Sequence, residues 1–208
     1  MVVIGLTAAP AAAHTFTITD VTAVFHPDHT YTIDVRVDVD ALALGVSPAL
    51  DSSIVAAELR SLSPEDVEMR VNQAKDTILH RVRVRFDGER MVSTVTFPQR
   101  GVDPAPNEPV TVLGTLARLS GTVPTGAKTF TFGASRAFGP VILTIRDPAS
   151  VLGVEYQLDV SEDSPPHPLD FPQPAPARPR GRGSLAWAAV ATALAVAAVA
   201  AVTWARRR

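Results

Sequence analysis

The stretch YTIDVRVDVD, Tyr31 to Asp40, alternates strictly. Ile33, Val35, Val37 and Val39 fall on one side, and Asp34, Arg36, Asp38 and Asp40 on the other. A period of two is that of an extended strand, whose successive side chains point to opposite faces. Such a strand belongs to a sheet with one face packed and one face wet, the habit of antiparallel sheets. Upstream, Phe16, Ile18 and Val21 to Phe25 give a first strand with an irregularity near Asp20, and HPDH (His26 to His29) is the turn between the two. Pro27 and Asp28 suit that turn.

Downstream the texture changes. Asp51 to Leu62 is rich in helix formers, and Ser63-Pro64-Glu65-Asp66 is a helix start. Ser63 can cap, Pro64 suits the first helical position, and the two acids favour the positive end of the helix dipole. A helix from Pro64 to about Leu79 lines up Val67, Val71, Ala74 and Ile78 on one stripe. Strands then return. Val82, Val84 and Phe86 alternate with Arg81, Arg83 and Arg85, Asp87-Gly88 is a hairpin turn, and Val92 to Phe97 is the returning strand. The three arginines read as a solvated sheet face. After a loop at Gly101 to Pro109, strands are expected at Val110 to Leu119, Lys128 to Phe132, Pro140 to Ile145 and Val154 to Val160, with Pro124-Thr125-Gly126 as a turn. The fold class expected is mainly β: an antiparallel β-sandwich with a helical insertion near residues 51–79, followed by one C-terminal transmembrane helix.

That last element is Leu185 to Ala205, LAWAAVATALAVAAVAAVTWA, which has no charge, no Gly and no Pro. At about 1.5 Å per residue it matches the roughly 30 Å of a bilayer core. Trp187 and Trp204 flank it at interfacial positions, and Arg206 to Arg208 form a basic stop. Between residues 161 and 184 seven prolines and several arginines describe a semi-rigid linker. Residues 1–13 read as the back half of a secretory signal, ending in Ala11-x-Ala13. The expected organisation is therefore a signal peptide at 1–13, an extracytoplasmic domain at 14–160, the linker, a bilayer span at 185–205 and a cytoplasmic C-terminus. About 150 residues are left for one ordinary domain. A formal net charge of −2 argues against a nucleic-acid partner, and the absence of cysteine excludes disulfides, thiolate metal sites and Cys nucleophiles.

Three segments together resemble a known arrangement: VDVDALALGV (Val37 to Val46), LRSLSPEDVE (Leu59 to Glu68) and LSGTVPTGAKTFTF (Leu119 to Phe132). They look like the extracytoplasmic N-terminal domain of HupE/UreJ-type membrane proteins, and the resemblance runs from about Thr15 to Asp147. It implies an association with nickel or cobalt movement. It does not imply permease activity, because that family's ion path is thought to lie in a multi-helix membrane domain. A single apolar helix whose polar side chains are Thr192, Thr203 and two indoles cannot line such a path.

Chemistry is sparse. Cleavage after Ala13 would free His14, whose amine and imidazole form a tight chelate suited to copper or nickel, with His26, His29 or His80 completing the site and Asp28 between the first two. His80 and His167 read as bystanders. There is no Gly-x-Ser-x-Gly elbow, no His-Glu-x-x-His and no P-loop, so no enzyme is expected. GASRAFG (Gly133 to Gly139) offers Arg136 and Phe138 on a loop; its plainer reading is an inter-strand connection with Phe138 tucked into the core edge. The function expected is a membrane-anchored extracytoplasmic binding or assembly domain with a membrane-protein partner, beside a transport or metal-homeostasis system. The alternative is a periplasmic or cell-surface copper- or nickel-binding protein using His14, His26 and His29.

Overall fold

A computed structural model of the chain describes residues 18–48, 50–103, 110–148 and 152–171. The expected signal peptide at 1–13, His14, residues 172–184 of the expected linker, the 185–205 segment and the terminal arginines lie outside the described residues. Among the described residues, no helix is long and apolar enough to cross a membrane.

The chain is mainly β, built on two sheets. In order it forms β1 (Thr19–Phe25), β2 (Thr30–Arg36), α1 (Val39–Leu44), α2 (Ser52–Ser61), α3 (Pro64–Arg81), β3 (Val82–Phe86), β4 (Glu89–Arg90) and β5 (Thr94–Thr96). Then follow β6 (Leu116–Thr122), β7 (Thr129–Ala134), a 3-10 turn at Arg136–Phe138, β8 (Val141–Arg146), β9 (Val154–Leu158) and β10 (His167–Pro168). The larger sheet runs β5-β6-β2-β1-β8-β9 and the smaller β10-β7-β3-β4. Alternation sends Val21, Ala23 and Phe25, then Tyr31, Ile33 and Val35, inward from the first sheet, and Val82, Val84, Phe86, Phe130 and Phe132 inward from the second. The sheets meet ring on ring: Phe25 to Phe130 at 5.0 Å and Tyr31 to Phe86 at 5.4 Å between centroids. Offset and edge-on aromatic pairs add to the burial of their large apolar area.

Helix α3 starts where its sequence signal lies. The Ser63 hydroxyl accepts the Asp66 N–H at 3.1 Å, and Pro64 occupies the first turn. Val71, Ala74 and Ile78 are buried from that helix and Val67 is half-buried, as the stripe requires. Ser63→Ala is expected to lower the thermal midpoint by an amount corresponding to about 1 kcal/mol, read by circular dichroism.

Five expectations need correction. The sandwich is not purely antiparallel: β1 pairs with β8 in parallel, Thr19 opposite Val141 through Val24 opposite Arg146. The chain enters β8 at the same end as β1, where the Thr19 hydroxyl donates to the Phe138 carbonyl and the Thr19 N–H to the Pro140 carbonyl. Second, the strand at Tyr31 stops at Arg36. Asp38 caps α1 by accepting the Ala41 N–H at 2.8 Å, and helical rotation of about 100° per residue then replaces the strand's alternation. Asp40 consequently faces inward and is fully buried, not solvated. Third, the hairpin at Asp87-Gly88, both residues at positive φ, returns only as the two-residue β4; the chain then crosses to the other sheet, where β5 pairs with β6. Fourth, the strand expected at Val110 begins only at Leu116, because the residues before it give their N–H groups to side chains. Asp40 takes those of Val112 and Leu113, each at 2.7 Å, and Gln99 takes that of Thr115.

The fifth correction concerns the linker. Residues 161–171 belong to the folded unit. Ser164 donates its N–H to the Phe132 carbonyl and accepts the Phe132 N–H on its hydroxyl. His167 pairs with Phe130 as part of β10, and the Leu169 N–H reaches the Lys128 carbonyl. Prolines set the extended backbone here, but polar side chains and backbone bonds hold it down.

Candidate functional site

Three places in the fold gather chemistry-bearing side chains. The first is the HPDH turn. The Asp28 carboxylate accepts both the N–H and the hydroxyl of Thr30, and those bonds, the hydroxyl's first, hold its pKa below the ordinary value. The His26 Nε2 lies 3.4 Å from the Thr32 hydroxyl. His29 sits at positive φ with its ring stacked on Phe171, centroids 4.4 Å apart. Asp28 is thus engaged in turn geometry, and His29 in an aromatic contact. Among the described residues no group of three His, Cys, Asp or Glu could hold a metal ion. His26 and His29 follow the far end of β1, about 20 Å along the strand from Thr19, and His14 lies outside the described residues. His80 is exposed, its Nδ1 donating to the Asp76 carbonyl at 2.7 Å.

The second place is the folded tail. Asp163 takes Arg83 in two hydrogen bonds, at 2.6 and 3.0 Å, and Arg85 on its other oxygen. Two of the three arginines expected on a solvated face are therefore ion-paired. Gly133 permits this, because a Cβ there would collide with the Asp163 carboxylate and crowd the Arg83 guanidinium. Beside it, His167 is buried between Asp147, 2.7 Å from its Nε2, and the Tyr156 hydroxyl, 3.1 Å from its Nδ1. His167 is therefore no bystander. It joins the tail to the end of β8 and to β9. Its role is invisible locally, since its two partners precede it by 20 and 11 residues across a Pro-rich stretch.

The third place is a groove. The 3-10 turn Arg136–Phe138 and the start of α1 enclose a half-open concavity of about 360 Å³, lined by Arg36, Val37, Pro48, Arg136, Phe138 and Pro140 among others. A second concavity of about 160 Å³ adjoins it and shares Val37, Asp38, Pro48, Ala137 and Phe138, adding Arg81 and Val46. Phe138 is buried, the plainer of the two readings of its loop. Arg136 projects at the rim. Arg36, Arg81 and Arg136 are exposed, and among the described residues none of their guanidinium groups has a hydrogen-bond or ion-pair partner. By contrast Arg83, Arg85, Arg100 and Arg118 all engage carboxylates. The one acidic residue in the groove lining is Asp38, which already accepts the Ala41 N–H. Apolar side chains flank the arginines: Ile18 is 55% exposed, Val46 37% and Val160 48%. The groove carries no nucleophile–base pair. It offers cationic donors over apolar walls, which suits binding rather than bond-making.

In comparisons with known proteins, no family model matches the chain and no curated protein matches it.

Proposed function

We propose that this is a membrane-anchored extracytoplasmic domain that binds a membrane-protein partner through the arginine-rimmed groove, in the setting of a transport or metal-homeostasis system. The observation that carries the reading is the groove itself: three unpartnered guanidinium groups and exposed apolar side chains gathered at one end of β1. The apolar segment 185–205 and the leader-like 1–13 support the anchored, exported part of the reading. The resemblance of the Val37, Leu59 and Leu119 segments to the HupE/UreJ-type domain supports the setting. Copper or nickel binding through His14, His26 and His29 has no comparable geometry behind it among the described residues.

The test is photo-crosslinking of the full chain in its own membranes, with benzoylphenylalanine replacing Ala137 in the groove or, as control, Val92, which is 87% exposed elsewhere. A discrete adduct is expected from position 137 only, in a membrane fraction that resists alkaline extraction. No adduct from 137, or the same products from both positions, would overturn the binding reading. Release by alkali would overturn the anchor.

A further inference from the structure

Resting on that reading, we infer that the occupant of the groove is an extended acidic segment of the partner protein, with apolar side chains between its carboxylates. The argument is one of complementarity. Among the described residues, the guanidinium groups of Arg36, Arg60, Arg81, Arg136 and Arg146 lack a hydrogen-bond or ion-pair partner, and three of these five line the two adjoining concavities, Arg36 and Arg136 the larger and Arg81 the smaller. Against these three cations the lining sets one carboxylate, Asp38, so the groove keeps a net positive charge that favours an anionic ligand. Guanidinium groups recognise carboxylates by paired, charge-assisted hydrogen bonds, and this protein shows that preference itself: Arg118 grips Asp34 by two bonds of 2.7 Å.

The groove's shape and walls narrow the source of the anion. Two adjoining, half-open concavities with a shared lining suit a chain laid across both better than a small enclosed molecule. The exposed side chains of Ile18, Val46 and Val160 flank the cations, so a ligand that offers charge alone would leave apolar surface in water. A peptide alternating acidic and apolar residues satisfies both. Arg36 ends β2, Arg81 ends α3 and Arg136 stands on the 3-10 turn, so the cations come from three elements and are held apart. That spacing suits successive carboxylates on one strand.

The experiment measures fluorescence anisotropy of a labelled acetyl-Leu-Glu-Leu-Glu-Leu-Glu amide with the full-length protein in neutral detergent, beside the same peptide carrying Gln for Glu. The Glu peptide is expected to bind at least about tenfold more tightly than the Gln peptide and to weaken with added salt. Arg36→Gln with Arg136→Gln is expected to lose at least about tenfold, whereas Arg60→Gln with Arg146→Gln, unpartnered arginines outside the groove, changes nothing. All four side chains are exposed, so folding survives, and circular dichroism checks it. Absence of binding, equal binding of the Gln peptide, or an equal loss in the control pair overturns the proposal. So does displacement of the Glu peptide by inorganic phosphate or phosphatidylglycerol vesicles at equal anion concentration, which would make the site a general anion or lipid surface. If the adduct from position 137 persists while the peptide fails, the binding domain stands and the acidic occupant falls. Loss of the adduct takes away both.

Discussion

Asp40→Ala is expected to destabilise the domain by about 2–5 kcal/mol, seen as a fall in the urea midpoint with little change in slope. The Asp40 carboxylate is buried and holds the Val112 and Leu113 N–H groups at 2.7 Å each. Alanine would strand both donors, and an unpaired buried N–H costs on the order of 1–3 kcal/mol. Asp40→Asn keeps one acceptor but turns an amide N–H₂ toward the other donor, so about half the loss is expected. The pH dependence has a defined sign. Burial pushes the Asp40 carboxyl above its ordinary 3.8, against the opposing pull of the two N–H groups. The folded state then holds this proton more tightly than the unfolded state. The carboxyl's contribution to stability is full below 3.8 and is lost as pH rises through the raised folded value. The deficit of Asp40→Asn relative to wild type should therefore be larger in acid than at neutral pH. A deficit that grows toward neutrality would contradict the assignment.

The second large effect is expected at Asp163. Replacing it with Asn leaves Arg83 and Arg85 facing each other without their shared anion, at a cost of about 1–3 kcal/mol given that all three side chains are partly exposed. Burial alone would raise this carboxyl, but hydrogen bonds and charge from the two guanidinium groups outweigh it and hold the pKa below 3.8. The sign is opposite to that of Asp40. Its stabilisation is present above 3.8 and disappears as pH falls through the depressed folded value, so the difference between wild type and Asp163→Asn should be full at neutral pH and shrink in strong acid. The local readout is hydrogen exchange at the Ser164 and Leu169 N–H groups, which bond to Phe132 and Lys128 and should open in the variant before the rest of the sheet. Gly133→Ala should produce the same opening from the other side of the contact, since its Cβ displaces the Asp163 carboxylate.

What could be read in the sequence was what depends on neighbours along the chain. Alternation placed β1, β2 and β3, the apolar runs after Pro124-Thr125-Gly126 marked out β7, β8 and β9, and Ser63-Pro64 placed the start of α3. What could not be read depended on distant partners. Nothing between Thr19 and Phe25 announces a parallel neighbour beginning at Val141. The acids of Tyr31 to Asp40 look equivalent until α1 begins, after which one caps a helix and another is buried. Arg83 and Asp163 lie 80 positions apart, and proline content near Asp163 gives the composition of a linker to residues that are packed. The groove was half legible. Arg136 and Phe138 stood out on their loop, while Arg36 and Arg81 looked like ordinary wet-face charges until β2 and α3 brought their ends to the same place.

The parallel pairing of β1 with β8 also sets the order of assembly. β1 lies between β2 and β8 in the larger sheet, and β2 follows it at once through a four-residue turn. The β1–β2 hairpin can therefore form early, but one whole edge of β1 waits for a strand that is made only after three helices and five further strands. Closing so long a loop is slow compared with forming local contacts. Before β8 pairs, that edge of β1, beside Val21, Ala23 and Phe25, is open to another strand and is a route to misassociation.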